Sequence, residues 1–302
     1  MVESLSDLQM TGYKYQLEKL NINIENLIKW FFEDYLLNEF QIKNFKCNMP
    51  SPTDSLLSKC KTIASAIDGV LSKFNLLCEN GEINLNLFKY KTNSPRIKDV
   101  RSLVKNKYCY IKDEDLWNEA NCLFSNQSML SFTEKTKAKY DTFEELIKTE
   151  RITLTDCEPY NINTLNWLLN RKTINLKNDI IVLNKERALI LKEFYQMEVI
   201  SLQHFHSKQL KQMIQNGEVL VDNKLFTKPE YQYLDYLLNN SEFSNAKALR
   251  NKYIHDSIVD DEKVMTKDYI TFLKIMILII IKINDDICIR DDINTYTDFY
   301  EI

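Results

Sequence analysis

Glycine and proline are almost missing from this chain. The 302 residues hold 4 Gly and 5 Pro, where average usage would supply roughly 21 and 15. Sheets and barrels turn on glycine, so an all-β fold is excluded and a mainly helical one is expected. Gly12, Gly69, Gly81 and Gly217 lie far apart, which rules out a glycine-rich phosphate cradle. The content of 44% hydrophobic and 27% charged residues is that of a globular chain able to bury a core.

The periodicity of apolar residues divides the chain into helices. Tyr13, Leu17, Leu20, Ile24, Leu27, Phe31 and Tyr35 predict one stripe to about residue 45. Pro50 and Pro52 break it, and spacing resumes from Asp54 to Leu77 with Gly81 just beyond. Ile83, Leu85 and Leu87, and separately Tyr108 and Tyr110, alternate as short strands would. The stretch Asp156-Cys-Glu-Pro159 reads as a linker. The expected domains are therefore 1–160, mostly helical, and 161–302, a helical bundle. Within the latter, helices are expected over 184–214, from Pro229 to Asn239, from about Asn245, and from Thr266 to about Asp285. A small hairpin is expected around Asp222-Asn223, and the acidic residues from Asp285 to Asp292 read as a solvated tail.

Several chemistries are disfavoured by counting. Seven cysteines, odd in number and never spaced as CxxC, argue against a disulfide framework or a structural zinc site. His204 and His206 flank Phe205 two residues apart, on different faces of a helix, which is poor for one metal ion. No metal and no cofactor are expected. The apolar run Ile275–Ile281 is seven residues long where a membrane span needs about twenty. Residues 1–10 are polar and acidic, unlike a secretory signal. A soluble, cytoplasmic protein without membrane contact is expected. Tyr231, Tyr233, Tyr236 and Trp167 have faces on which bases could stack, although aromatics at such spacing usually belong to a core.

One constellation carries chemistry. In Ala246-Lys-Ala-Leu-Arg-Asn-Lys-Tyr-Ile-His-Asp256, Arg250 is followed at once by Asn251 and five positions on by His255. Seven arginines and three histidines meet at that spacing by chance far less than once in a chain of this length. A guanidinium is always charged and matches a phosphate with a planar fork. Imidazole titrates near neutrality and can carry a proton to or from the reacting oxygens. Asn251, four residues before His255, shares its helix face and could orient the ring. Arg250 and His255 are about 140° apart on an ideal helix. They converge if His255 lies beyond the helix end, or if two copies meet across a symmetric interface.

The run Leu249 to His255, near the end of a helix and before an apolar last helix, resembles the HEPN superfamily, a likeness that covers about 185–290. The resemblance implies a metal-independent endoribonuclease of toxin–antitoxin, abortive-infection or antiviral defence type. It implies catalytic roles for Arg250, His255 and Asn251, RNA contacts for Lys247, Lys252 and Tyr253, and a homodimer with a composite active site. A regulatory protein or phage-derived trigger would act through the first half, which resembles nothing nameable. Charge opposes this reading. From Lys185 onward there are 15 Lys plus Arg against 19 Asp plus Glu, where nucleic-acid binders usually show a basic face. The alternative is a non-catalytic helical interaction module in which Arg250 and His255 pair with nearby carboxylates or dock a partner.

Overall fold

Left-handed residues and side-chain caps decide where the helices stop. The computed structural model describes residues 2–90, 95–254 and 261–295. In chain order it begins with α1 (Val2–Lys19), α2 (Ile24–Trp30), a π-helical turn (Phe31–Tyr35), α3 (Leu36–Phe40), α4 (Leu56–Asn80) and α5 (Leu85–Tyr90). There follow β1 (Tyr108–Ile111), α6 (Glu114–Phe124), α7 (Phe143–Thr149), α8 (Ile162–Asn170), β2 (Ile174–Lys177), β3 (Ile180–Leu183), α9 (Lys185–Met197), β4 (Ile200–Ser201), α10 (Lys208–Gln215) and β5 (Val219–Asp222). The described chain closes with α11 (Lys228–Leu238), α12 (Leu249–Ile254) and α13 (Glu262–Thr295). The protein is mainly helical with a few short strands, as composition required.

Local chemistry corrects several sequence expectations. The single helix expected to residue 45 is cut at Asn21, which is left-handed, and restarts where the Asn23 side chain caps α2. Gln41, also left-handed, ends α3. Gly81 ends α4 as expected, at φ +75 with its N–H on Leu77 O. Leu85 and Leu87 belong to the helix α5, not to a strand, whereas Tyr108 and Tyr110 do form one. The expected helix 184–214 is two helices, because Glu198 turns left-handed and β4 intervenes. His204 and His206 consequently sit outside any helix, exposed, between β4 and α10. The expected hairpin at Asp222-Asn223 is replaced by long-range pairing. β5 lies antiparallel to β1 with Tyr108 opposite Asp222, and β4 flanks β1 on its other side.

The chain divides into two compact units, and the division differs from the expected one. Residues 1–105 and 223–301 make the first unit; 106–222 make the second. The expected boundary near Pro159 falls inside the second unit, in two tight helical turns that lead into α8. Residues 161–222, expected in the same bundle as the Arg-Asn-x3-His run, belong instead to the second unit. The reason is the pairing of β1 with β5, which closes 106–222 on itself.

In the first unit α13 packs along α4 and α1. Ile63, Ile67, Val70 and Phe74 of α4 meet Phe272, Ile275, Met276, Ile279 and Ile283 of α13 in one buried cluster. Each such side chain contributes roughly 1.5–3 kcal/mol. The Ile275–Ile281 run, expected to be buried, lies in α13 with only Ile275, Met276 and Ile279 buried, while Leu278 and Ile281 on its other face are exposed; no described helix is long and apolar enough to cross a membrane. The second unit has its own cluster around Leu123, Phe143, Leu165, Ile181 and Phe194. All seven cysteines are free; burial pushes the thiols of Cys47, Cys60 and Cys109 up to about 12, which makes them poor nucleophiles.

The expected acidic tail is the last part of α13, and Asp286 within it is fully buried. Its carboxylate accepts the Ser102 hydroxyl and the Leu103 N–H, both at 2.6 Å. Ser102 Oγ in turn accepts the Val104 N–H at 2.9 Å. A carboxylate on α13 thus fixes the segment from which the chain leaves the first unit. Charge-assisted bonds of this kind are worth about 1.5–3 kcal/mol each. Asp286→Ala is expected to lower unfolding free energy by at least about 2 kcal/mol in urea titration. Asp292→Ala, at an exposed position, should change it by less than about 0.5 kcal/mol. Equal effects would contradict the anchoring role.

Candidate functional site: a cavity of mixed charge at helix α12

The helix α12 has six residues, too few to be stable alone. Packing and side-chain ties hold it. Leu249 and Tyr253, four apart, are buried in the first unit's core. The Tyr253 hydroxyl donates to Asp268 Oδ2 of α13 at 2.8 Å, and Lys252 Nζ donates to the same oxygen at 2.5 Å. Burial and that hydrogen bond push the Tyr253 hydroxyl well above its ordinary range. Anchoring by these residues leaves the preceding pair, Arg250 and Asn251, at the wall of a cavity.

This cavity has a volume of about 360 Å³ and is lined by Asp68, Arg96, Lys98, Tyr231, Arg250 and Asn251 among others. Arg250 donates from Nε to Asp68 Oδ2 at 2.8 Å, and its Nη2 forms an ion pair with the same oxygen at 2.7 Å. Its side chain remains 35% exposed, and Nη1 has no hydrogen-bond partner among the described residues. Burial raises the Asp68 carboxyl above its ordinary range although Arg250 pulls it down. The Asn251 amide donates to Asn240 Oδ1 at 3.1 Å. Lys98 pairs with Glu242 at 3.1 Å, and Asp235 accepts the Ser241 hydroxyl and the Glu242 N–H. Arg96 is exposed and makes no ion pair among the described residues.

The structure therefore brings two of the sequence-derived site residues, Arg250 and Asn251, to one cavity. Lys252 and Tyr253 are drawn to Asp268, and Tyr253 lies in the core. Lys247 is half-buried, its N–H on Tyr236 O. His255 lies outside the described residues. Tyr231 and Tyr236 pack on the core while Tyr233 is exposed. Asp68, Arg96, Lys98 and Asn240 were not singled out from sequence. Asp68 is 182 positions from Arg250, and its only local signal is a carboxylate directly after the buried Ile67 on an apolar helix. Among the described residues no group of three or more His, Cys, Asp or Glu side chains is arranged to hold a metal ion.

Compared with family models, with curated proteins and with solved structures, the chain matches none.

Asp268 is the single acceptor for two neighbouring side chains of α12, so its charge governs how firmly that helix is held. Asp268→Asn is expected to accelerate amide hydrogen exchange across 249–254 at least about tenfold, equivalent to about 1.4 kcal/mol of local opening. Exchange in α4 should be little changed. Unaltered exchange in α12 would show that Leu249 and Tyr253 suffice.

Proposed function

We propose that the chain is a metal-independent endoribonuclease of HEPN type. The observation that carries the reading is Arg250 at the cavity wall, its guanidinium oriented by one carboxylate oxygen and still open to solvent. In the proposed reaction the RNA 2′-hydroxyl attacks the adjacent phosphorus; a new O–P bond forms and the bond to the 5′-oxygen breaks. The products are a 2′,3′-cyclic phosphate and a 5′-hydroxyl. Arg250 neutralises charge that grows on the non-bridging oxygens, through Nη1 and the outer proton of Nη2. His255 moves the proton, and Asn251 lies beside the cavity as a positioning amide. Each contribution is worth about 10²–10⁴ in rate. Asp68 holds the guanidinium in place and offsets part of its charge. With Asp68, Asp235 and Glu242 facing Arg96, Lys98 and Arg250, RNA affinity comes from local contacts and is weak. A second copy of the motif from a homodimer completes the cleft, and the biological role is that of a toxin-like or anti-phage effector in the cytoplasm.

A specific observation favours a second reading. Arg250, Asn251, Lys252 and Tyr253 each have a partner within the chain, as in a non-catalytic module where the motif stabilises a helix.

Purified protein incubated with total RNA in EDTA separates the two. The nuclease reading expects cleavage that falls at least about 100-fold in Arg250→Ala and in His255→Ala with melting temperatures retained. Wild-type protein that leaves RNA intact, or cuts only with added magnesium, supports the second reading. Sedimentation of an active but strictly monomeric protein would refute the shared cleft.

A further inference from the structure

The second unit presents a different surface. After α7, Ile152 and Thr153 pair with the β2–β3 hairpin: Ile152 O accepts the Ile181 N–H at 2.8 Å, and Thr153 bridges to Ile180. Two tight helical turns, Leu154–Asp156 and Pro159–Asn161, then lead into α8, and β2–β3 follows directly. This order of helix, single bridge, two tight turns, helix and hairpin is similar to that of a helix-turn-helix with a hairpin wing, with twelve residues between α7 and α8 where the simple motif has three or four. In such readers the second helix enters a DNA major groove.

The faces of α8 fit that use. Leu165 and Leu168 are buried in the unit's core. Asn163, Asn166 and Asn170, at i, i+3 and i+7, are exposed on the opposite side. None of the three amides has a hydrogen-bond partner among the described residues. Amide side chains can read base edges two atoms at a time, adenine above all. The helix of nine residues is about 14 Å long, and the major groove is about 12 Å wide.

The hairpin supplies the second contact. Asn178 and Asp179 both have positive φ, at 50° and 62°, which is the two-residue turn that matches strand twist. Asn175, Lys177 and Asn178 are exposed on it, as is Lys172 in the connection from α8. From Tyr160 to Asn178 the sequence carries Arg171, Lys172 and Lys177 and no carboxylate. Arg171 is paired with Glu119 and Asp115, so the cations this surface offers are Lys172 and Lys177. The Lys172 and Lys177 ammonium groups have no ion-pair partner among the described residues.

The end of α8 is also fixed rigidly. Glu119 of α6 is fully buried and accepts Arg171 Nε at 2.5 Å, Arg187 Nε and Nη2 at 2.7 and 2.8 Å, and the Thr173 hydroxyl. One carboxylate therefore ties α6, α9 and the α8–β2 connection together. A pre-set helix loses little freedom on binding.

From these placements we propose that α8 and the β2–β3 hairpin form a docking surface for duplex DNA, with Asn163, Asn166 and Asn170 in the major groove and Lys172 and Lys177 on phosphates. Duplex RNA is the poorer fit, because its major groove is too deep and narrow for a helix. The inference is independent of the RNA-cleavage reading and of Arg250.

Fluorescence anisotropy with the full chain and a labelled mixed-sequence DNA duplex of about 20 base pairs tests it. Micromolar binding is expected at about 50 mM salt, weakening about tenfold by about 200 mM as two phosphate contacts release counterions. The pair Lys172→Glu/Lys177→Glu, and separately Asn166→Glu, should each weaken binding at least about tenfold with the melting temperature kept. Asp179→Lys should tighten it, and Asp292→Ala, exposed on the first unit, should leave it unchanged. The proposal is overturned by absent binding at about 50 mM salt, by surface variants that bind like wild type, or by tighter binding of duplex RNA or single strands.

Discussion

The seam between α4 and α13 is the constraint on which the first unit depends. Its members come from residues 63–74 and 272–283, so the two ends of the chain must close on each other before either helix can bury its apolar stripe. Closing a long loop costs only slightly more for each added residue. A complete second unit can therefore sit in the intervening chain, provided its entry and exit are fixed. Asp286 fixes the entry, through Ser102 and Leu103, and Leu225 N–H on Val100 O at 2.9 Å fixes the return. The buried carboxylate that looked like part of a solvated tail is thus a structural anchor.

The same seam creates the candidate site. It carries Asp68 on α4 to within 2.7 Å of Arg250 on α12, residues far apart in sequence. A guanidinium in a cavity wall is useful for chemistry only if its rotamer is fixed, and the carboxylate does that. Pairing through one oxygen restrains the fork without exhausting its donors. Asp68 is partly buried, its side chain 24% exposed, and desolvation of a buried charge offsets part of the attraction between such a pair. The arrangement is one in which a phosphate oxygen can compete for the cation.

The sequence was most legible where a residue acts locally. Gly81 ends a helix because only glycine adopts its backbone without strain, and Pro229 begins one beside the Thr227–Glu230 capping box. Pattern failed where tertiary pairing overrode it. Val219–Asp222 read as half of a local hairpin but pairs with β1 more than a hundred residues earlier. Gln41 and Glu198 stop helices from left-handed positions that their residue types do not announce, whereas Asn21 is of a type that adopts that backbone readily. Linker-like composition points to a boundary near Pro159, whereas unit membership depends on strand pairing. Of the site, Arg250 and Asn251 were visible as a motif. Asp68, Arg96 and Asn240 were not, because only the packed helices bring them to one cavity.

Two surfaces with different chemistry thus occupy one chain: a cavity lined by both carboxylates and cations on the first unit, and an amide-faced helix with two hairpin-side lysines on the second. The reaction proposed at the cavity requires the substrate's own 2′-oxygen as nucleophile. The most direct measurement compares an RNA oligonucleotide cut by the protein with the same strand carrying 2′-deoxyribose at the cleaved position only, in EDTA. The account predicts that the single deoxy substitution abolishes cleavage there and that the all-RNA product ends in a 2′,3′-cyclic phosphate. Unchanged cleavage of the deoxy-substituted strand, or a product bearing a 5′-phosphate, would contradict it.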